Sequence, residues 1–503
     1  MDTLTQLGDN LGVGFSAALT PPNLLLGLIG VTLGTAIGVL PGIGPALTIS
    51  VLMPLTFGMD PIGAFIMFGG IYYGAMYGGS TTSILVNMPG EAASVMTALD
   101  GFRMTQKGRS GAALATAAIG SFIAGTFATL MLMLMAPTLV EFALGFGPAE
   151  YFALMVMALT ATTGLSGGSP AKGAFSTLLG LALGTMGIDL QTGQARFTFG
   201  MQGLLGGVNV VIVTVGLFAI GEVFWFAATR PKQTEERYGL SGPVGLTRKE
   251  WRRSIPAWMR GTVIGFFTGI LPGAGATVAS FLSYDAERRF SKNPEEFGDG
   301  AIEGVAGPEA ANNASAGGSL VPLLALGIPG SGTTAVMLAA FQMYGLQPGP
   351  LLFEQNSRLV WGLIASLYVS NALLLALNLP LIGVWVRLLK VPTSLLFTAV
   401  LAFSTLGVYT LNNSMFDVGI VYVLGILAFF MRLYRFPMAP TILAVVLGPL
   451  MEQEFRRALA ISEGDPTILL TRPLSASILL VAFTMIAAPF VFRRIAARRH
   501  WHQ

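Results

Sequence analysis

Two stretches of this chain, GAALATAAIGSFIAGTFATLMLMLMAP at residues 111–137 and LLGGVNVVIVTVGLFAIGEVFWF at 204–226, are longer than the roughly 20 apolar residues a helix needs to cross a bilayer. Runs of this length read as transmembrane helices. About a dozen such segments leave little chain for a soluble domain. Composition agrees: charged residues make up 11% of the chain, against roughly a quarter in soluble domains, and mean hydropathy is +0.70. This is an integral membrane protein.

The same residues exclude several function classes. Cysteine is absent, which removes disulfides, thiolate metal sites and cysteine nucleophiles. The two histidines are His500 and His502, so histidine chemistry inside the membrane is excluded as well. The sequence pI of about 9.1 does not point to nucleic acid, because the basic residues cluster at the ends of apolar runs, where the positive-inside rule accounts for them. The opening residues, MDTLTQLGDNLGVGFSAALTPPN, lack a basic n-region and cleavage signal and are expected to be retained.

Proline and glycine interrupt the apolar runs in a repeated order. GVLPGIGP at 38–45 has a counterpart in GILPGAGA at 269–276, and GTAIGVLPGIGPALTIS aligns with GFFTGILPGAGATVAS. Downstream, GGSTTSILVNMPG at 78–90 aligns with GGSLVPLLALGIPG at 317–330, given one inserted residue. Two motifs in the same order describe an internal repeat. The segment between the halves, 229–260, carries eight basic and three acidic residues and is expected in the cytoplasm. RMTQKGR (103–109) is expected there too, whereas its counterpart QMYGLQPGP (342–350) is uncharged. Equivalent loops on opposite sides mean inverted halves. The expected fold is therefore an all-α polytopic membrane protein with two inverted-topology repeats, 1–228 and 261–503, broken or re-entrant Pro-Gly helical hairpins and about 12 membrane spans. Spans are placed near 112–137, 150–165, 173–189, 204–228, 358–386, 393–410, 416–431, 437–451 and 473–492, with the N-terminus outside and the C-terminus inside.

Broken backbone in a membrane is tolerated where it is buried in protein or lines a cavity, and paired breaks in inverted halves mark the binding site of a secondary transporter. A half-helix beginning at Pro45 or Gly275 aims unpaired N–H groups and the positive end of its dipole at the break, which suits a carboxylate. Candidate substrate-binding positions are Pro41, Gly42 and Gly44 in the first break and Pro272, Gly273 and Gly275 in its counterpart. Neutral polar residues beside the second pair of breaks join them: Ser80, Thr81, Thr82 and Asn87, then Asn312, Asn313, Ser319, Ser331 and Thr333. Their hydroxyls and amides can donate to a carboxylate or hold Na+ through oxygen. Glu91 and Glu309, with Asn313, are the ion-coupling candidates. An ionised Glu91 on the substrate site would repel an anion, so it is assigned to coupling or structure.

With those residues in view, the chain resembles the large membrane permease subunit of the tripartite tricarboxylate transporters, the TctA type. The likeness rests on GVLPGIGP, YGGSTTSILVNMPGE, GILPGAGA, GPEAANNASAGGSLVPLLALGIPGSGTTAVML and APTILAVVLGPLMEQEFRRAL. The resemblance implies a bacterial inner-membrane permease working with a small membrane subunit (TctB type) and a periplasmic solute-binding protein (TctC type). That protein would deliver citrate or another carboxylate. Uptake would be driven by an ion gradient, with Na+ as the expected coupling ion, H+ as the alternative, and no cofactor.

Other classes fare worse. GLSG at 164–167 mimics the serine motif of rhomboid-type proteases, but no membrane histidine exists to activate the serine. No GxxxxGK[ST] loop is present for ATP. An anion channel is the serious alternative to a transporter, and paired breaks in inverted halves favour the transporter.

Overall fold

The computed structural model describes residues 3–40, 43–165, 169–189, 191–229, 240–388 and 391–485. Pro41, Gly42, Ser166 and Gly167 of the GLSG motif, residues 230–239 of the basic linker and the two histidines lie outside them. The chain opens with α1 (Thr3–Ala18), α2 (Pro21–Gly38), α3 (Pro45–Leu52), α4 (Pro61–Val86), α5 (Val95–Gln106) and the long α6 (Ser110–Ala143). After α7 (Pro148–Leu165) and α8 (Pro170–Gly184) comes a short antiparallel ribbon, β1 (Gly187–Ile188) and β2 (Ala195–Arg196), with Gly187 opposite Arg196. A continuous helix then runs from α9 (Val210–Thr214) through a π-helical turn at Val215–Ile220 into α10 (Gly221–Thr229). The later part begins with α11 (Arg248–Ile270), α12 (Gly275–Phe290), α13 (Glu303–Leu326) and α14 (Gly332–Met343). It continues through α15 (Pro350–Gln355), α16 (Ser357–Asn378), α17 (Ile382–Leu388), α18 (Thr393–Asn412), α19 (Met415–Leu433), α20 (Ala439–Ile461) and α21 (Ile468–Thr471).

Among the described residues, six helical stretches are long and apolar enough to cross a bilayer: Pro21–Gly38, Ser110–Ala143, Val210–Thr229, Ser357–Asn378, Thr393–Asn412 and Met415–Leu433. Several boundaries differ from the sequence expectation. The 358–386 span ends at Asn378, and a separate short helix follows at Ile382–Leu388. The 173–189 span stops at Gly184, before the β-ribbon. The short piece expected at 437–451 is a 23-residue helix, Ala439–Ile461, because Pro449 is accommodated inside it. The opening residues, not assigned as a helix from sequence, form α1. It lies so close to α16 that a Cβ on Gly14 would collide with the Trp361 carbonyl.

Glycines set the central packing. Gly30, Gly34 and Gly38 on α2 face Met67, Ile71 and Ala75 on α4, so the two helices run parallel. Every one of these glycines abuts backbone: a Cβ on Gly34 would sit 2.8 Å from Ile71 Cα. Small residues at four-residue spacing let membrane helices approach this closely, and dispersion contacts replace the hydrophobic drive that lipid does not supply. The same arrangement recurs between α11 and α13, where Gly261, Gly265 and Gly269 face Gly307, Ala311 and Ser315.

Both long helices also end alike. α4 closes on Asn87 in the left-handed conformation (φ 53°) and α13 on Gly327 (φ 70°). Each is followed by a Pro-Gly turn that runs back along its own helix. Gly90 packs on Gly79 and the Gly38 carbonyl; Gly330 packs on Ser319 and the Gly269 carbonyl. Because Gly79 corresponds to Ser319 and Gly90 to Gly330, these contacts align the two segments without the inserted residue that the GGS letters suggested.

Hydrogen bonds identify the ends of the molecule. Tyr344, after α14, donates to the Thr56 carbonyl at 2.6 Å. Lys107, after α5, pairs with Asp299 in the α12–α13 loop at 2.7 Å. Thus the start of α4 and the end of α13 lie at one end, and the start of α13 lies at the other.

Candidate functional site

A cavity of about 420 Å³ lies where the breaks meet. Its wall contains the α11–α12 break and first turn of α12 (Gly273–Val278), the start of α14 (Ser331–Thr333) and Glu91 with Ala92 and Ala93. Tyr72 and Met76 of α4, Thr162 of α7 and the approach to α20 (Pro437–Ala439) also line it, with Pro329, Ala335 and Leu443. Local sequence explains the geometry. Gly273 (φ +80°) and Gly275 (φ +59°) take backbone conformations that side chains resist. Gly273 also approaches α7 so closely that a Cβ would lie 2.6 Å from Thr162 Cα. The Gly273 N–H donates to the Gly330 carbonyl at 3.1 Å, tying the two breaks together.

Two helix N-termini, those of α12 and α14, therefore open on one cavity. The first N–H groups of a helix have no intrahelical acceptor, and the dipole makes this end electropositive. Ser331 caps α14: its Oγ accepts from Thr334 N at 3.2 Å, while its own N–H donates to Thr334 Oγ1 at 2.8 Å. Tyr72 reaches across from α4, its hydroxyl sharing hydrogen bonds of 3.1 Å with both Ser319 and Ser331. Among the described residues, the wall has no Lys or Arg, and Glu91 is its one charged group.

Glu91, which the sequence reading assigned to coupling or structure rather than to the substrate, is thus on the cavity wall. Glu91 precedes the turn before α5, and its backbone carbonyl accepts from Ser94 N at 3.1 Å and from Ser94 Oγ at 2.9 Å. Gly44, the N-cap of α3, lies directly behind it, where a Cβ would sit 3.3 Å from Glu91 Oε1. Pro45 occupies the first position of α3, which suits a residue without an N–H.

Glu309 is fully buried, away from this wall. Its two carboxylate oxygens accept from the hydroxyls of Ser80 and Thr97, on α4 and α5. Asn313 donates to the Glu309 carbonyl at 3.0 Å and to Ser121 Oγ at 2.7 Å. Ser80, Thr81, Tyr77, Ser121 and Asn378 surround an adjoining void of about 20 Å³, room for about one water-sized species. Asn312 is 1% exposed, and neither its Oδ1 nor its Nδ2 has a hydrogen-bond partner among the described residues.

The structure therefore separates the sequence candidates into groups. Gly273, Gly275, Ser331, Thr333 and Glu91 line the cavity. Gly44 and Ser319 stand behind it, and Ser80, Thr81 and Asn313 gather around Glu309. Pro272 is buried in the turn between α11 and α12, and Thr82 bonds back to the Gly79 carbonyl of its own helix. Asn87 is exposed and does not reach the cavity; its left-handed backbone explains an Asn there, since Asn tolerates that conformation. Tyr72, Thr97, Thr162 and Pro437–Ala439 were missed. Tyr72 and Thr97 sit in unremarkable helical sequence, whereas the Pro-flanked FPMAP motif at 436–440 was a readable break.

A 52.8 kDa protein of the TAR-I ttuC′ 3′ region of Agrobacterium vitis, described as uncharacterised, is 48% identical over 485 residues, covering 96% of each chain. A second, from the TAR-II ttuC′ 3′ region of the same organism, is 49% identical over 215 residues, 43% of this chain and 89% of its own length. No solved structure matches. Residues 24–443 match the model of the tripartite tricarboxylate transporter TctA family, and the chain belongs to that family.

Proposed function

We propose that the protein is the large permease subunit of a binding-protein-dependent secondary transporter that imports a tricarboxylate or related carboxylate across the bacterial inner membrane. The observation that carries this reading is the convergence of the α12 and α14 N-termini on one cavity that holds hydroxyls and no basic side chain. An anion there is held by backbone N–H groups, helix dipoles and the hydroxyls of Ser331 and Thr333. Dipoles fix a carboxylate without forming a tight ion pair that would hinder its release.

In this reading about 12 spans form two inverted repeats, 1–228 and 261–503, around the basic cytoplasmic linker. Supporting it, the α2–α4 and α11–α13 packing units run in opposite directions between the two ends of the molecule. We read the end bearing Lys107, Arg109 and the linker as the cytoplasmic one, with the N-terminus expected outside and the C-terminus inside. Partners are the small membrane subunit and the periplasmic solute-binding protein.

The coupling ion, Na+ or H+, is carried as a co-substrate. Glu91 on the wall requires a cation or proton before a multiply charged anion can occupy the cavity, because two like charges a few ångströms apart in a low dielectric repel strongly. Glu309, with Ser80, Thr81 and Asn313 around it, is a second, internal oxygen-rich position for that ion. Reconstitution with the solute-binding protein, comparing carboxylate uptake with and without a Na+ gradient, tests the reading. Saturable, gradient-dependent accumulation is expected; flux that rises without saturation and never exceeds equilibrium would instead identify an anion channel.

A further inference from the structure

A second chamber, of about 610 Å³, lies on the far side of the α13–α14 turn. It is lined by the loop 345–351, the end of α6 and start of α7 (143–148), and Leu447, Leu450, Glu454 and Arg457 of α20. One short turn divides it from the cavity: Gly327 and Ile328 face the chamber, while Pro329 and Ser331 face the cavity. The division continues along both flanking helices. On α14, Ala335 lines the cavity and Leu338 the chamber; on α20, Leu443 lines the cavity and Leu447 the chamber. A wall one turn thick, between two spaces each able to hold a small polycarboxylate, is a partition in a path.

We propose that the Gly327–Ser331 turn gates carboxylate entry from the chamber to the cavity, and that Tyr72 is the positioning residue that holds it closed. The inference rests on reading the cavity as the transport site. The turn runs from a left-handed Gly327 to the cap of α14, and its first two N–H groups, those of Gly327 and Ile328, donate to the Leu323 and Pro322 carbonyls of α13 at 3.0 and 3.1 Å. Its ties to the rest of the protein include the Gly330 carbonyl, which accepts from Gly273 N at 3.1 Å, and Ser331 Oγ, which shares a 3.1 Å bond with the Tyr72 hydroxyl. The same hydroxyl contacts Ser319 at 3.1 Å, on the stretch of α13 against which the turn lies. One phenol from α4 thus holds both the turn and its backing helix. Releasing it leaves the Gly273–Gly330 backbone bond as the tie on the cavity side, while the Gly327 and Ile328 bonds to α13, and the packing of α13 on α11, stay in place.

The native chain has no cysteine, so single introduced thiols report access without background. A Gln347→Cys variant places the thiol in the chamber and a Thr333→Cys variant places it in the cavity. Both are treated with a bulky, membrane-impermeant maleimide in sealed right-side-out and inside-out vesicles. In whichever orientation Gln347→Cys reacts, Thr333→Cys is expected to react at least about tenfold more slowly, which corresponds to about 1.4 kcal/mol. Adding Tyr72→Phe, which removes the hydroxyl alone, is expected to accelerate that reaction about fivefold, the scale of a lost net hydrogen bond, and to leave Gln347→Cys unchanged. Ser331→Thr, which keeps a hydroxyl at the cap, should retain slow labelling. The proposal is overturned if Thr333→Cys reacts as fast as Gln347→Cys from that side with Tyr72 intact, or if Tyr72→Phe leaves its rate unaltered. Labelling needs neither substrate nor uptake, so a failed transport assay with these labelling results would defeat the transport reading and leave the partition standing.

Discussion

Replacing Gly265 by Ala tests whether backbone contact between α11 and α13 holds the site together. An added Cβ would lie 2.5 Å from Ala311 Cα and 2.7 Å from its carbonyl carbon, whereas nonbonded carbons rest at about 3.5–4.0 Å. The helices must therefore separate by about 1 Å along that line. The obstructing atoms are all backbone, so no rotamer change relieves the clash. Overpacking of this kind costs about 1–3 kcal/mol, of which the gain in helix propensity from Gly to Ala offsets about 1 kcal/mol. The net loss lies at about 0–2 kcal/mol, and the upper end is expected because both surfaces are rigid. The control is Gly12→Ala on α1, where nothing lies within 4 Å of the new methyl and the propensity gain stands alone. The assay is the thermal midpoint of the purified protein in one detergent, followed by uptake in proteoliposomes. Gly265→Ala should melt below wild type and Gly12→Ala at or above it. Uptake by Gly265→Ala should fall further than its stability implies, because α11 leads directly into the break whose Gly273 N–H ties down Gly330. A midpoint for Gly265→Ala equal to that of Gly12→Ala would refute the close-packing argument.

Asp100 is buried and accepts from Gly298, Gly300 and Ala301 N–H groups at 2.9, 2.7 and 2.9 Å and from the Tyr284 hydroxyl at 2.8 Å. Asp100→Ala should destabilise by about 3 kcal/mol by stranding those donors, with new protease cleavage in 291–302 as the readout; an unchanged digestion pattern would contradict it. At the end of the molecule bearing the chamber, Asp189 is held well below the usual carboxylate range by hydrogen bonds from Arg456 and from Gln191 N. A depressed folded pKa gives stability that is complete above the unfolded value of about 3.9 and fades as pH falls below it. Asp189→Asn should therefore lower the midpoint at pH 7 and matter progressively less below about pH 4; a gap that widens in acid would reverse the sign. Glu309→Gln keeps the shape but loses the charge, so it should abolish gradient-driven accumulation while sparing exchange of internal for external substrate. Normal accumulation by that variant would remove Glu309 from the coupling path.

Some of this architecture was readable because its physics is local. A run of apolar residues finds its helix whatever surrounds it, since hydrocarbon offers its backbone no other partner. Pro45 and Gly275 begin helices for reasons contained in their own rings and dihedral angles. The GxxxG series of α2 and α11 could likewise be recognised by spacing alone. The register of the second pair of motifs could not, because matching letters placed GGS on GGS, while the contacts pair Gly79 with Ser319. What matters at that position is room for the returning turn, which a small residue of either type supplies.

The amino-acid sequence by itself determined a helical membrane chain, the places where its helices break, and the small residues that permit close approach, because each follows from neighbours within a few turns. Only the tertiary structure decided which breaks meet. It brought the starts of α12 and α14 to one cavity, put Glu91 on its wall, left Asn87 outside, and enclosed Glu309 between Ser80 and Thr97. It also carried Tyr72 across to Ser331, 259 positions away in the chain. Such pairings depend on how parallel helices stack and where their ends fall, and no local preference of Tyr72 or Glu91 encodes that.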